Sequence, residues 1–140
     1  SYYVPEAASN LWFDGWVMMK GANVDAATMF VNFVSRPANV VRNMYYIAYT
    51  SCVGGDEVFD YVVETYGAED GDETAVDYDL RYFFGDDEKY ILSAPAEQLT
   101  RQLFAQYPDE ETMKRCVVMQ YFDSDANDRA NRMWREVKAS

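Results

Sequence analysis

The sequence predicts a mainly α-helical domain with a few β-strands, and three observations carry that expectation. Apolar residues recur at three- and four-residue steps in several separate stretches, the signature of helices with one buried face. Those stretches are bounded by residues that start or stop helices, among them Asn23, Pro37, Gly54-Gly55 and Gly67. The chain has 140 residues, 49% of them apolar and 16% aromatic. A compact chain of that size buries about 68–70% of its unfolded surface, enough for one domain with a core and too much for wholesale disorder.

Taken in order, residues 1–20 read as extended. Tyr2, Tyr3 and Val4 run into Pro5, a polar turn follows from Glu6 to Asn10, and the aromatic run Leu11 to Met19 predicts a second strand. Asn23 is placed to cap a helix carrying Ala26, Met29, Phe30, Phe33 and Val34 on one face. Pro37 suits the first turn of a second helix with Val40, Val41, Met44 and Ile47 inward, so the two helices form a hairpin. After Gly54-Gly55, Val58, Phe59, Val62 and Val63 predict a third, shorter helix ending near Gly67. Ala68 to Thr74 reads as a solvated loop, and Tyr78 to Phe84 is aromatic enough to return to the core. Beyond the turn at Gly85-Asp86-Asp87, Pro95 to Gln106 predicts a helix facing inward through Leu99, Leu103 and Phe104. Asp109 to Lys114 forms a helical turn, Val117 to Met119 an extended link, and Ala126, Ala130, Met133, Trp134 and Val137 the stripe of a last helix.

The formal charge is −12, and the chain has no histidine. Such acidity argues against a sequence-blind nucleic-acid binder or an anionic-membrane binder, which draw their affinity from Lys and Arg. Lack of histidine removes Ser-His-Asp and Cys-His catalysis and every His-containing zinc site. The charge is also local: residues 56–88 hold 13 acidic side chains against Arg81 alone, while the other 107 residues balance at 11 of each sign. A charge run of this kind reads first as a solvated face, and its spacing does not fit a calcium loop. Cys52 and Cys116 lie 64 positions apart in no metal or redox spacing. They are either a disulfide or two free thiols, and mostly buried free thiols are the expectation favoured here. No apolar run spans a bilayer and no signal-peptide pattern is present, so a chain beginning at Ser1 is expected to be a processed or excised piece.

The most unusual local sequence is Leu11-Trp12-Phe13-Asp14-Gly15-Trp16-Val17. In a strand, Trp12, Asp14 and Trp16 would share one face at about 6.6–6.8 Å spacing, with one carboxylate between two indoles. Such a face suits an alkylammonium ion, whose charge the carboxylate neutralises while the rings cover its methylenes; a neutral sugar could also stack there. An aromatic core strand with Asp14 at its edge satisfies the same pattern, so the spacing leaves both readings open. Asp123-Ser124-Asp125-Ala126-Asn127 imitates the start of an EF-hand, but Asp128 replaces the required Gly and Trp134 the required Glu. An N-terminal cap for the last helix explains it better. Tyr45, Tyr46 and Tyr49 carry no specific signal, and no pair of carboxylates is marked out for glycoside hydrolysis.

The order of Tyr3-Val4-Pro5-Glu6, Leu11 to Val17, Asn23-Val24-Asp25, Phe30 to Phe33 with Arg36-Pro37, and Tyr46 to Thr50 resembles the spermidine/putrescine-binding proteins of ABC transporters. So does the end, from Tyr107-Pro108-Asp109 with Glu111-Thr112 to the closing helix through Trp134 and Lys138. The similarity covers residues 2–50 and 107–138; W-x-D followed by N-F-x-x-R-P is its most specific part. It implies a C-terminal fragment of a type II periplasmic-binding-protein-like fold, an α/β receptor of two lobes, with residues 1–140 forming the C-terminal third and residues 52–106 an acidic, family-variable insertion.

The resemblance also implies roles. Trp12 and Asp14 match a Trp that stacks on the ligand's methylene chain and an Asp that pairs with its ammonium, and Gln120, counted back from the C-terminus, matches a further contact. Trp16 joins them from strand alternation. The implied protein is an extracytoplasmic polyamine-binding component of an importer, without a reaction or cofactor. Its partners would be the polyamine and a membrane permease, in some relatives fused to the receptor, with no nucleic acid. A fragment of this kind could also self-associate. The rival expectations are a receptor for another amine, an iron complex or a sugar, and, further off, a carboxylate-dependent glycosidase fragment.

Overall fold

The computed structural model describes residues 4, 5, 7, 9–11 and 13–139. It is a mixed helix and strand protein, mainly helical. Helices α1 (Val24–Val34) and α2 (Pro37–Ile47) form the expected hairpin. The Asn23 side chain accepts a hydrogen bond from the Ala26 N–H at 3.0 Å, and Pro37 opens α2, where its missing N–H costs nothing. Helix α3 (Asp56–Tyr66) is as long as α1 and α2, so the shorter helix expected there is corrected: Tyr66 extends the apolar face past Val62, and Val63 turns outward. Strands β2 (Ala75–Asp79) and β3 (Ile91–Pro95) pair antiparallel, with Tyr78 opposite Leu92. Between them lies the short α4 (Arg81–Phe84). Helices α5 (Gln102–Gln106), α6 (Glu110–Arg115) and α7 (Ser124–Ala139) complete the chain.

Three further expectations are corrected. The helix drawn over Pro95 to Gln106 is two pieces, a 3-10 turn at Ala96–Thr100 and then α5, because Arg101 leaves helical geometry (φ −127°, ψ −138°). The strand drawn over Leu11 to Met19 shrinks to β1 (Asn10–Leu11), which pairs in parallel with β4 (Val117–Val118). A strand needs a neighbour for its N–H and C=O groups, and residues 13–19 find none among the described residues. The other expected strand lies largely outside the described residues, with Tyr2 and Tyr3. Finally, Ile47 and the stripe Met29, Phe30 and Phe33 were expected inward and are all at least half exposed.

The core is concentrated. Among the described residues, eleven of the thirteen buried hydrophobic ones lie between Val58 and Tyr107; Val40 and Met44 of α2 are the others. Phe59, Phe84 and Tyr90 meet edge-on or tilted at 5.1–5.7 Å, an arrangement that suits the quadrupoles of their rings. The Tyr78 hydroxyl donates to the Tyr107 carbonyl inside this core. By contrast α1 and α7 contain no buried residue. Among the described residues, no helix is long and apolar enough to cross a membrane.

Candidate functional site

A cleft of about 590 Å³ lies where residues 9–11, 13 and 14, the chain after α2, the end of α5 and helix α6 meet. Its geometry begins at Ala48, which ends α2 in the left-handed region (φ 58°, ψ 25°) and donates its N–H to the Met44 carbonyl at 2.8 Å. That conformation costs a non-glycine residue roughly 1–2 kcal/mol, and it turns Tyr49 and Thr50 into the cleft. A reciprocal clamp holds the turn: Gln106 Nε2 donates to the Ala48 carbonyl at 2.9 Å, and Thr50 Oγ1 donates to the Gln106 carbonyl at 2.7 Å. Gln106 Oε1 in turn accepts from the Tyr66 hydroxyl at 2.9 Å, tying this wall to the core. On the opposite side, the Val117 N–H donates to the Ser9 carbonyl at 3.2 Å beside the β1–β4 pair. At the foot of α6, Asp109 accepts from the Thr112 N–H at 2.7 Å, and that bond holds its carboxyl below the usual range.

Asp14 lines this cleft, is exposed, and has no hydrogen-bond or ion-pair partner among the described residues. Its neighbours in the lining include Phe13, 78% exposed, and Tyr49, 59% exposed. An uncompensated carboxylate flanked by aromatic surface suits an organic cation, each cation–π contact being worth about 0.5–1 kcal/mol at an exposed site. Trp16 does not share this position. Without a strand there is no alternating face, and its ring packs edge-on to Phe30 of α1 at 5.3 Å. Gln120 is exposed, lies between β4 and α7, and is absent from the cleft lining. Trp12 is outside the described residues. Tyr49, Thr50 and Gln106 are the residues that sequence reasoning missed; the only local signal for Tyr49 was its place just after the end of a helix.

A larger cavity, about 790 Å³, is lined by Glu69, Asp70, Asp72, Thr74 and Glu97 near the β2–β3 hairpin. The Thr74 N–H and Oγ1 both donate to Asp72, which lowers the pKa of that carboxyl. Gly67, Gly71, Pro95 and Ala96 complete the lining, and among the described residues no group of three or more metal-ligating side chains is brought together. Cys52 and Cys116 both line the Asp14 cleft and are unbridged; Cys52 is exposed and Cys116 half-buried, which corrects the expectation of mostly buried thiols. No protein-family model, curated protein or solved structure matches the chain.

Proposed function

We propose that this chain is the C-terminal part of an extracytoplasmic polyamine-binding component of an ABC importer, a receptor of the type II periplasmic-binding-protein kind. The observation that carries the reading is Asp14, a carboxylate without a partner among the described residues, on a cleft wall that also presents Phe13 and Tyr49. An ammonium group of spermidine or putrescine would pair with Asp14, and its methylenes would lie on the aromatic surface. The exposed rows on α1 and α7 support the same reading. Met29, Phe30, Phe33, Met133, Trp134 and Val137 are at least half exposed, more large apolar surface than an isolated domain ordinarily leaves in water. In a two-lobed receptor the rest of the molecule would cover such faces, and the closed form would engage the permease. Geometry lends its support to Asp14 and Tyr49; Trp12 and Gln120 enter the ligand set through the sequence resemblance alone, and Trp16, whose alternating strand face is absent, leaves it.

Calorimetry of spermidine binding to the receptor carrying both lobes tests the anchor. Asp14→Asn removes a charge-assisted bond worth about 1.5–3 kcal/mol, so affinity should fall roughly tenfold or more. An affinity within about twofold of the parent's would remove Asp14 from that role. Competition by putrescine, lysine and a neutral oligosaccharide separates a polyamine site from one for another amine or a sugar.

A further inference from the structure

We propose that Gln106 is a positioning residue of the amine site: it holds the Ala48 turn in the conformation that presents Tyr49 to the cleft, and through it residues 52–106 take part in ligand binding. This role rests on Asp14 as the ammonium anchor and concerns the ring that would cover the ligand's methylenes. Ala48 is the only non-glycine residue with positive φ among the described residues, and such a conformation persists only where its surroundings hold it. Two bonds to Gln106 do so. Its Nε2 donates to the Ala48 carbonyl at 2.9 Å, and its carbonyl accepts from Thr50 Oγ1 at 2.7 Å. Ala48 and Thr50 flank Tyr49, so both sides of that residue are fixed to a single residue at the end of α5.

Gln106 can hold the turn because the core holds Gln106. Leu103 and Tyr107, on either side of it, are buried, and the Tyr107 carbonyl accepts from the Tyr78 hydroxyl. An amide side chain can present either end, and a flipped Gln106 would set Oε1 against the Ala48 carbonyl, two acceptors with no proton between them. The Tyr66 hydroxyl donates to Oε1 at 2.9 Å and so keeps Nε2 turned toward Ala48. Tyr66 is buried at the end of α3, so one line of bonds runs from the core through Gln106 to the turn before Tyr49. It joins residues 40 and 58 positions apart. Cys52, Gln102 and Ala105, from the same stretch as Tyr66 and Gln106, also line the cleft.

The test is calorimetry of spermidine binding to the receptor carrying both lobes, below the melting temperature of every variant. Gln106→Met removes the donor to Ala48, and Thr50→Val removes the returning bond; each should lower affinity roughly three- to tenfold. Ala48→Gly, added to either variant, should bring affinity back to within about twofold of the parent's, because glycine takes a positive φ unaided. A side chain that acted by touching the ligand itself would not be replaced in this way. Should Gln106→Met fail to fold, Thr50→Val with its Ala48→Gly rescue makes the same comparison. Unchanged affinity in the single variants, or a loss that Ala48→Gly does not recover, overturns the role. If Asp14→Asn binds spermidine as the parent does while Gln106→Met binds it more weakly, the anchor fails and the clamp stands; the converse result keeps the anchor and removes the clamp.

Discussion

The acidic residues 56–88 surround the best-packed part of the molecule, whereas the charge-balanced segments on either side leave rows of aromatic and aliphatic side chains exposed. In α3, Asp56, Glu57, Asp60 and Glu64 are exposed while Val58, Phe59, Val62 and Tyr66 are buried. In β2, Asp77 and Asp79 alternate with buried Tyr78 and lead to buried Leu80. In α7, Met133, Trp134 and Val137 make an apolar stripe as regular as that of α3, yet each is more than 60% exposed. The contrast teaches that burial follows from having a facing partner. Segment composition does not foretell it, since the most acidic stretch buries Val58, Phe59, Val62, Tyr66, Tyr78 and Leu80 on its other face.

The sharpest way to break that comparison is to truncate one apolar side chain in each region. Leu103→Ala, at a fully buried position, should cost about 2–5 kcal/mol in urea unfolding. Met133→Ala, on the exposed α7 stripe, should change stability by no more than about 0.5 kcal/mol. Equal losses would mean that α7 belongs to the core.

A smaller effect reports on the interior alone. Burial pushes the Tyr78 and Tyr107 phenols well above their ordinary range, helped by the Asp109 charge near Tyr78 and by Tyr66 and Tyr61 near Tyr107. Raised folded values mean that the unfolded chain loses these protons first, from about pH 10 upward. Stability is therefore intact below that pH and falls as pH rises through it. Phenolate absorbance should show the two groups ionising only as the helical signal melts; ionisation within an intact fold would place them outside the core.

The smallest effect belongs to the acidic shell. Hydrogen bonds from the Arg81 guanidinium and N–H hold the Asp79 carboxyl down to about 2. A depressed folded value gives a contribution present above the unfolded value, near 3.9, and lost as pH falls toward 2. Because the pair is exposed, Arg81→Gln should lower stability only slightly above about pH 4, leave it unchanged near pH 2, and so flatten the acid limb between them. A large loss at neutral pH would show that the shell supports the core directly.

What could be read from the sequence had local causes. Asn23, Pro37 and Gly55 mark helix starts through neighbours a few residues away, and Asp123 caps α7 as expected, accepting from the Ala126 N–H at 2.8 Å. The β2–β3 hairpin escaped notice because α4 and a turn separate its strands, so neither shows the other in its own pattern. At the site, Asp14 stood out by its aromatic company. Tyr49 did not, because its position depends on Ala48 adopting φ 58°, a conformation that glycine would have advertised and alanine conceals.

The sequence by itself determined the helices that cap and terminate within their own few residues, the confinement of the net charge to residues 56–88, and the chemical oddity of Asp14 among rings. Tertiary structure decided which apolar faces are buried, that Arg101 breaks the helix before α5, and that Asp14, Tyr49, Cys52 and Cys116 line one cleft. The division has one physical reason. A cap or a helical repeat is satisfied by near neighbours, whereas burial and a shared cleft require surfaces from distant parts of the chain, and only the folded packing supplies them.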